Sequence, residues 1–214
     1  MDTLLLNYNK DSNVINKAIS IFKNSGIGIF PTDTVYGIGC NSLDINALEK
    51  LYKLKERNFN KPINILVSNI NMINKFVKNV NHIEQKLMEN FWPGALTIIF
   101  DKTDIVPELL TAGLNTVGIR MPDNKICLEL INKLGTPLAT SSANISGKTP
   151  YTKIDNNIIN SFNNKVDFII DNGETYNIPS TIVRVENDEI RILREGSITK
   201  NDILKCFGGN INVR

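Results

Sequence analysis

The sequence predicts a mixed α/β (α+β) fold, an open twisted mixed sheet with helices packed on it. Three observations carry that reading. Short apolar runs bounded by turn residues are interleaved with segments of helical periodicity, without strict strand–helix alternation. With 214 residues, 42% hydrophobic and 21% charged, the chain has the length of one domain, taken as 1–214, and an ordinary globular composition. No repeat, low-complexity tract or interdomain linker interrupts it.

Each element has its own signal. Thr3 to Asn7 reads as a short strand, after which Asp11 or Ser12 caps a helix with Ile15, Ala18, Ile19 and Phe22 on its apolar face, closed by Gly26. Ile27 to Phe30 suits a buried strand that Pro31 ends, because proline gives a ladder no N–H. Three polar residues follow, Thr32, Asp33 and Thr34, and then a second apolar run from Val35 to Cys40. Asp44 caps a helix presenting Leu48, Leu51 and Tyr52, which runs out in a basic cluster before Pro62. Ile63 to Val67 is the next strand, followed by helical segments at 71–79 and 82–91 and a break at Trp92-Pro93-Gly94. Strands are expected from Ala95 to Phe100 and from Thr116 to Arg120, then a helix over 124–134 ending before Gly135. Pro137 to Thr140 is a short buried strand feeding a hydroxyl-rich loop. Val166 to Ile170, Thr181 to Val185 and Ile190 to Leu193 complete the strands, with Asn187-Asp188 turning the last pair. Residues 199–207 form a closing helix.

Composition narrows the function. A net charge of +2 argues against a surface coated for bulk nucleic-acid binding, so any anion site is local. The cysteines, Cys40, Cys127 and Cys206, fit neither a disulfide framework nor a zinc site, and the first two sit in apolar company as core residues. His82 is the only histidine and reads as a surface residue, which argues against a catalytic triad and a histidine metal site. No protein-bound metal site is expected. No apolar run approaches the ~20 residues of a membrane span and the N-terminus lacks a signal-peptide layout, so the expected location is cytoplasmic, with no membrane partner.

Two stretches carry candidate chemistry. The Thr32–Thr34 loop lies between apolar runs, where it either holds a ligand or caps its own backbone as a turn. Ser146-Gly147-Lys148-Thr149 resembles the end of a P-loop, but Ser142 stands where that motif needs glycine and Pro150 where its helix should start, so the P-loop reading is rejected. The hydroxyls and amide of Ser141, Ser142, Asn144 and Ser146 remain either a polar turn or donors to a phosphate or purine. Lys55, Arg57 and Lys61 form a basic helix end, whose cations also suit the dipole. Arg120 and Arg194 each end an apolar strand, so each side chain is expected to leave the sheet at its edge, where arginine suits bidentate capture of carboxylate or phosphate. Cations and hydroxyls without a nucleophile or histidine base can still drive transfer at phosphorus, by positioning and charge neutralisation.

Together these residues resemble the YrdC-like threonylcarbamoyl-AMP synthase family. The matching blocks are Pro31-Thr-Asp-Thr-Val-Tyr-Gly37, Lys55-Glu-Arg57 with Lys61-Pro62, and Phe91-Trp-Pro-Gly-Ala-Leu-Thr97. Thr116-Val-Gly-Ile-Arg-Met-Pro122, Ser141-Ser-Ala-Asn-Ile-Ser-Gly147, Pro179-Ser-Thr-Ile-Val183 and Ile192-Leu-Arg-Glu-Gly196 follow in the family's order, over about 12–198. The resemblance implies a YrdC-like fold with a concave, positively charged ligand cavity. It implies a nucleotidyltransferase that makes threonylcarbamoyl-AMP and pyrophosphate from L-threonine, bicarbonate and ATP, with Mg2+ accompanying ATP. The product would pass to the machinery that builds N6-threonylcarbamoyladenosine in tRNA, with weak tRNA binding as a further partner.

By matching position, Thr34, Arg120 and Ser180 resemble the threonine-binding residues. Arg57, Lys61, Thr116, Ser142, Asn144, Thr152 and Arg194 resemble the ATP-binding ones, and Lys55 with Arg57 the catalytic pair. Leu66 stands where some members place a histidine near the threonine. The chain runs 20 residues past Arg194, which resembles the single-domain form without the linker and second domain of long members. Three other functions compete: a diverged paralogue, a non-catalytic RNA-binding module of the same fold, and the carbamoyl-transferring domain of hydrogenase maturation factors. The intact motif blocks weigh against the first, the near-neutral charge against the second, and the absence of zinc-finger cysteines against the third.

Overall fold

The computed structural model describes residues 2–56, 59–144, 149–176 and 178–214. Among them run β1 (Leu4–Asn7), α1 (Val14–Lys23), β2 (Gly28–Phe30), β3 (Gly37–Asn41), α2 (Ile45–Leu54) and β4 (Asn64–Leu66). The chain continues with α3 (Ile70–Ile73), α4 (His82–Phe91), β5 (Leu96–Asp101), α5 (Glu108–Thr111), β6 (Thr116–Arg120) and α6 (Lys125–Leu134). It ends with β7 (Leu138–Ser142), α7 (Asn156–Phe162), β8 (Phe168–Asp171), β9 (Thr181–Glu186), β10 (Glu189–Arg194) and α8 (Lys200–Cys206). The strands join in one mixed sheet, ordered β1-β8-β2-β3-β7-β4-β6-β5-β9-β10. Pairing is parallel for β1–β8, β8–β2, β4–β6 and β5–β9, and antiparallel elsewhere.

Alternation along the strands divides the core between the two faces of the sheet. Phe30, Leu66, Leu138, Phe168 and Ile170 face α1 and α6, whose Phe22, Ile19, Leu130 and Ile131 close over them. Their neighbours Ile29, Ile65, Ala139 and Ile169 face the opposite way and join a larger cluster built with α2, α4, α7 and α8. Each fully buried large apolar side chain contributes about 1.5–3 kcal/mol to this packing. Gly28 sits opposite Phe168 in register, and a Cβ there would overlap the ring that Phe22 packs against at 5.1 Å.

Local differences from the sequence reading have local causes. Asn13, not Asp11 or Ser12, occupies the cap position of α1, with its N–H bonded to Asp11 Oδ1 at 2.8 Å. The left-handed residue after α1 is Ser25, at φ 58°, rather than Gly26. The helix expected over 71–79 stops at Ile73, because Lys78 N–H turns to the Asp101 carbonyl and Val77 bridges Lys102 on the sheet. Strand β7 runs on through Ser141 and Ser142, paired with Ile38 and Gly37.

Helices α1 and α6 cover their face only as far as β4. Beyond it that same face forms a hollow floored by Asn64, Leu66, Thr97, Ile99, Arg120 and Ile182. This is the concave cavity that the fold was expected to carry.

Candidate functional site

The cavity holds about 620 Å³ and is walled by the segment from Thr32 to Gly37, by Thr140, Ser141 and Ser142 at the end of β7 with Pro150, and by Pro179 and Ser180. One end is anchored by Arg120. Strand β6 is interior, so Arg120 is not the sheet-edge residue expected, and its side chain is 7% exposed. Its guanidinium bonds the Gly94 carbonyl through Nε at 2.9 Å, Thr34 Oγ1 through Nη1 at 3.0 Å, and Asp33 through Nη2 as a salt bridge. Gly94 is held in turn by its N–H on the Met121 carbonyl at 2.8 Å, so the Trp92-Pro93-Gly94 turn wraps the base of Arg120. A guanidinium has five N–H donors, and these bonds use three.

A second cluster faces the cavity from β9 and β10. Ser180 Oγ lies 3.0 Å from Thr97 Oγ1, and both side chains are buried. Arg194 reaches back to Ser180, donating to its carbonyl at 3.1 and 2.7 Å and to its Oγ at 3.1 Å. Arg194 is an exposed rim residue, and desolvation against the wall, then the like charge of Arg120, hold its pKa below the ordinary value. Lys61, Arg120 and Arg194 give the cavity a basic lining, with Arg120 paired to Asp33.

The third wall is fixed by Lys55. This lysine, 6% exposed at the C-cap of α2, donates from Nζ to the Ser142 and Asn144 carbonyls at 2.7 Å each and to Asn144 Oδ1 at 2.8 Å. Ser142 Oγ donates to the same Asn144 Oδ1 at 2.8 Å, which pairs the two residues. Backbone bonds complete the wall: Ala143 N–H to the Tyr36 carbonyl at 2.7 Å, and Tyr36 N–H to the Tyr151 carbonyl at 3.0 Å.

The expected site residues are distributed as follows. Thr34, Lys61, Arg120, Ser142, Ser180 and Arg194 line the one cavity. Lys55 and Asn144 lie behind its wall, joined to each other and to Ser142. Thr116 lines an adjoining hollow of about 260 Å³ that shares Pro62, Asn64, Ile99 and Leu193 with the main cavity. Thr152 is outside both linings, its carbonyl accepting from Thr175 N–H at 2.8 Å. Arg57 and Lys148 lie outside the described residues.

Sequence reasoning did not single out Thr97 and Thr140, which also line the cavity. Their signal was a hydroxyl at a strand position otherwise filled by apolar residues. Leu66 lines the cavity next to Arg120 in register. Burial pushes the Cys40 and Cys127 thiols up, so neither offers a thiolate near the site. Among the described residues no three His, Cys, Asp or Glu side chains are grouped to hold a metal ion.

The sequence matches the family model Sua5_yciO_yrdC, described as "Telomere recombination", over residues 20–196. A putative threonylcarbamoyl-AMP synthase of Methanocaldococcus jannaschii is 42% identical over 184 residues, 86% of either chain. The threonylcarbamoyl-AMP synthase of Pyrococcus abyssi is 35% identical over 195 residues, 91% of this chain and 57% of that protein. The present chain thus spans little more than half the length of that relative. In three dimensions the fold is similar to P. abyssi Sua5 complexed with L-threonine, with a TM-score of 0.91 at 32% identity, covering 99% of this chain and 62% of that one. It is also similar to E. coli YciO, with a TM-score of 0.81 at 26% identity over 91% of this chain and 95% of the other. With its sequence and fold in agreement, the chain belongs to the Sua5/YciO/YrdC family.

Proposed function

We propose that this chain is an L-threonylcarbamoyladenylate synthase: a nucleotidyltransferase, acting within one domain over 1–214, that makes threonylcarbamoyl-AMP and pyrophosphate from L-threonine, bicarbonate and ATP. The observation that carries the reading is a single cavity joining two kinds of recognition. One end has Arg120, Thr34 and Ser180, suited to a small zwitterion, and the rim has Lys61, Ser142 and Arg194, suited to phosphates. The product passes to the machinery that threonylcarbamoylates tRNA.

The chemistry follows from the product. The threonine amine attacks the bicarbonate carbon and water leaves, giving a carbamate. A carbamate oxygen then attacks the α-phosphorus as the bond to pyrophosphate breaks. Arg120 uses its two remaining N–H donors on the threonine carboxylate, which fixes the amine in place. Arg194 and Lys61, with Arg57, neutralise charge on the phosphates, and Lys55 holds the loop that carries Ser142 and Asn144. Positioning and preorganised charge supply the catalysis, with no covalent intermediate on the protein. Magnesium arrives with ATP, and the described residues provide no cluster of their own to hold it.

Incubation with ATP, bicarbonate and 13C-labelled threonine, followed by mass detection, tests the proposal. The adenylate should appear carrying the threonine label. Adenosine diphosphate or free AMP without that adduct would overturn it.

A further inference from the structure

The loop between β2 and β3 carries more hydrogen bonding than a turn requires. Thr32 and Thr34 are both buried and both line the cavity. Thr32 Oγ1 donates to the Val35 carbonyl at 2.6 Å and accepts from the Thr34 N–H at 3.2 Å. It also lies 3.0 Å from Thr34 Oγ1. A hydroxyl has one proton and two lone pairs. The Val35 carbonyl only accepts, so the Thr32 proton is committed there, and the proton between the two hydroxyls belongs to Thr34. Thr34 Oγ1 also accepts from Arg120 Nη1 at 3.0 Å. Its remaining lone pair can only accept.

The chain therefore has a direction, from Arg120 through Thr34 and Thr32 to the Val35 carbonyl. At the cavity surface it leaves an acceptor on Thr34 beside the two unused donors of Arg120. An N–H suits the first and a carboxylate the second, and an α-amino acid carries both on one carbon. We propose that Thr32 is a positioning residue that locks Thr34 as the acceptor for the α-amine of the substrate. The inference rests on the amino-acid reading of this end of the cavity. An amine held through one N–H keeps its lone pair turned toward the carbon it attacks. Without the Thr32 hydroxyl, the Thr34 proton loses its acceptor and turns into the cavity, where it opposes the substrate N–H.

Calorimetric titration of the wild type, Thr32→Val and Thr32→Ser tests this, with L-threonine and with (R)-3-hydroxybutyrate, the same carbon chain without the amine. Thr32→Val should weaken L-threonine about tenfold, the loss of one well-aligned hydrogen bond, and leave (R)-3-hydroxybutyrate within about twofold. Thr32→Ser, which keeps the hydroxyl, should restore threonine binding. In turnover the KM for threonine should rise in Thr32→Val while the KM for ATP holds. Thr32→Val binding threonine as the wild type does, or weakening both ligands alike, overturns the assignment while the synthase reading stands. A wild type that binds no threonine overturns both.

Discussion

Lys55 separates two roles that sequence matching leaves merged. The resemblance puts it among catalytic residues near the phosphates, whereas its ammonium donates to the Ser142 carbonyl, the Asn144 carbonyl and Asn144 Oδ1 at 2.7, 2.7 and 2.8 Å. An ammonium has three donors, and these bonds tie it to one segment of backbone. Lys55→Met keeps the apolar stem and removes the charge. Asn144 Oδ1 retains Ser142 Oγ, so the damage falls on two carbonyls that lose a charged partner. At about 1.5–3 kcal/mol for each hydrogen bond from a charged donor, less the desolvation cost the ammonium no longer incurs, the net loss is about 3 kcal/mol. For a chain of this size that lowers Tm by about 6–12 °C. Thermal unfolding with and without ATP, together with calorimetric titration of ATP and threonine, reads both consequences. A clamp predicts lower Tm and weaker ATP binding, with threonine affinity nearly unchanged. Lost ATP binding at an unchanged Tm would refute the clamp and make Lys55 a direct phosphate contact.

Other residues give sharper or broader effects. Arg120→Ala should weaken threonine binding by roughly 2–4 kcal/mol through loss of a charge-assisted contact, with ATP affinity nearly kept, and steady-state KM values for both substrates check it. The same change strands the Asp33 carboxylate at 11% exposure, so urea unfolding should report about 3–5 kcal/mol of lost stability. Ser142→Ala and Asn144→Ala should each weaken ATP binding by roughly 1–3 kcal/mol, and the double variant by less than the sum, because Ser142 Oγ donates to Asn144 Oδ1. Burial pushes the Tyr36 hydroxyl from its ordinary 10.0 up to about 12, where it donates to the Gly173 carbonyl and accepts from Asn172 N–H. The folded state then holds that proton more tightly than the unfolded chain. Stability should therefore be intact below pH 10 and fall between pH 10 and about 12, a slope that denaturation of Tyr36→Phe should lack.

Local signals in the sequence were legible where local physics decides. The helices at 82–91 and 125–134 follow their apolar faces and their Asn81 and Asn124 caps, and the Asn187-Asp188 turn takes the positive φ its residues tolerate. Helix α5, Glu108–Thr111, and helix α7, Asn156–Phe162, went unread because so few turns give no clear period. Segment 71–79 failed for a different reason, since its apolar residues serve a sheet contact as well as a helix face. The strand order could not be read, because β8 enters beside β2 and β9 beside β5 through long-range pairings. The same distance in sequence hid the partners of Lys55 at Ser142 and of Arg120 at Thr34. Residue type pointed to candidate anion sites; the folded sheet shows that Lys55 and Arg120 already bond the protein itself.

The account stands on one cavity joining an amino acid to a nucleotide, and pyrophosphate release measures that coupling most directly. Purified protein should release pyrophosphate from ATP only when L-threonine and bicarbonate are both supplied, and Thr34→Val should depress the rate through the KM for threonine. Equal release without threonine would contradict the account and mark the cavity as that of a nucleotide hydrolase.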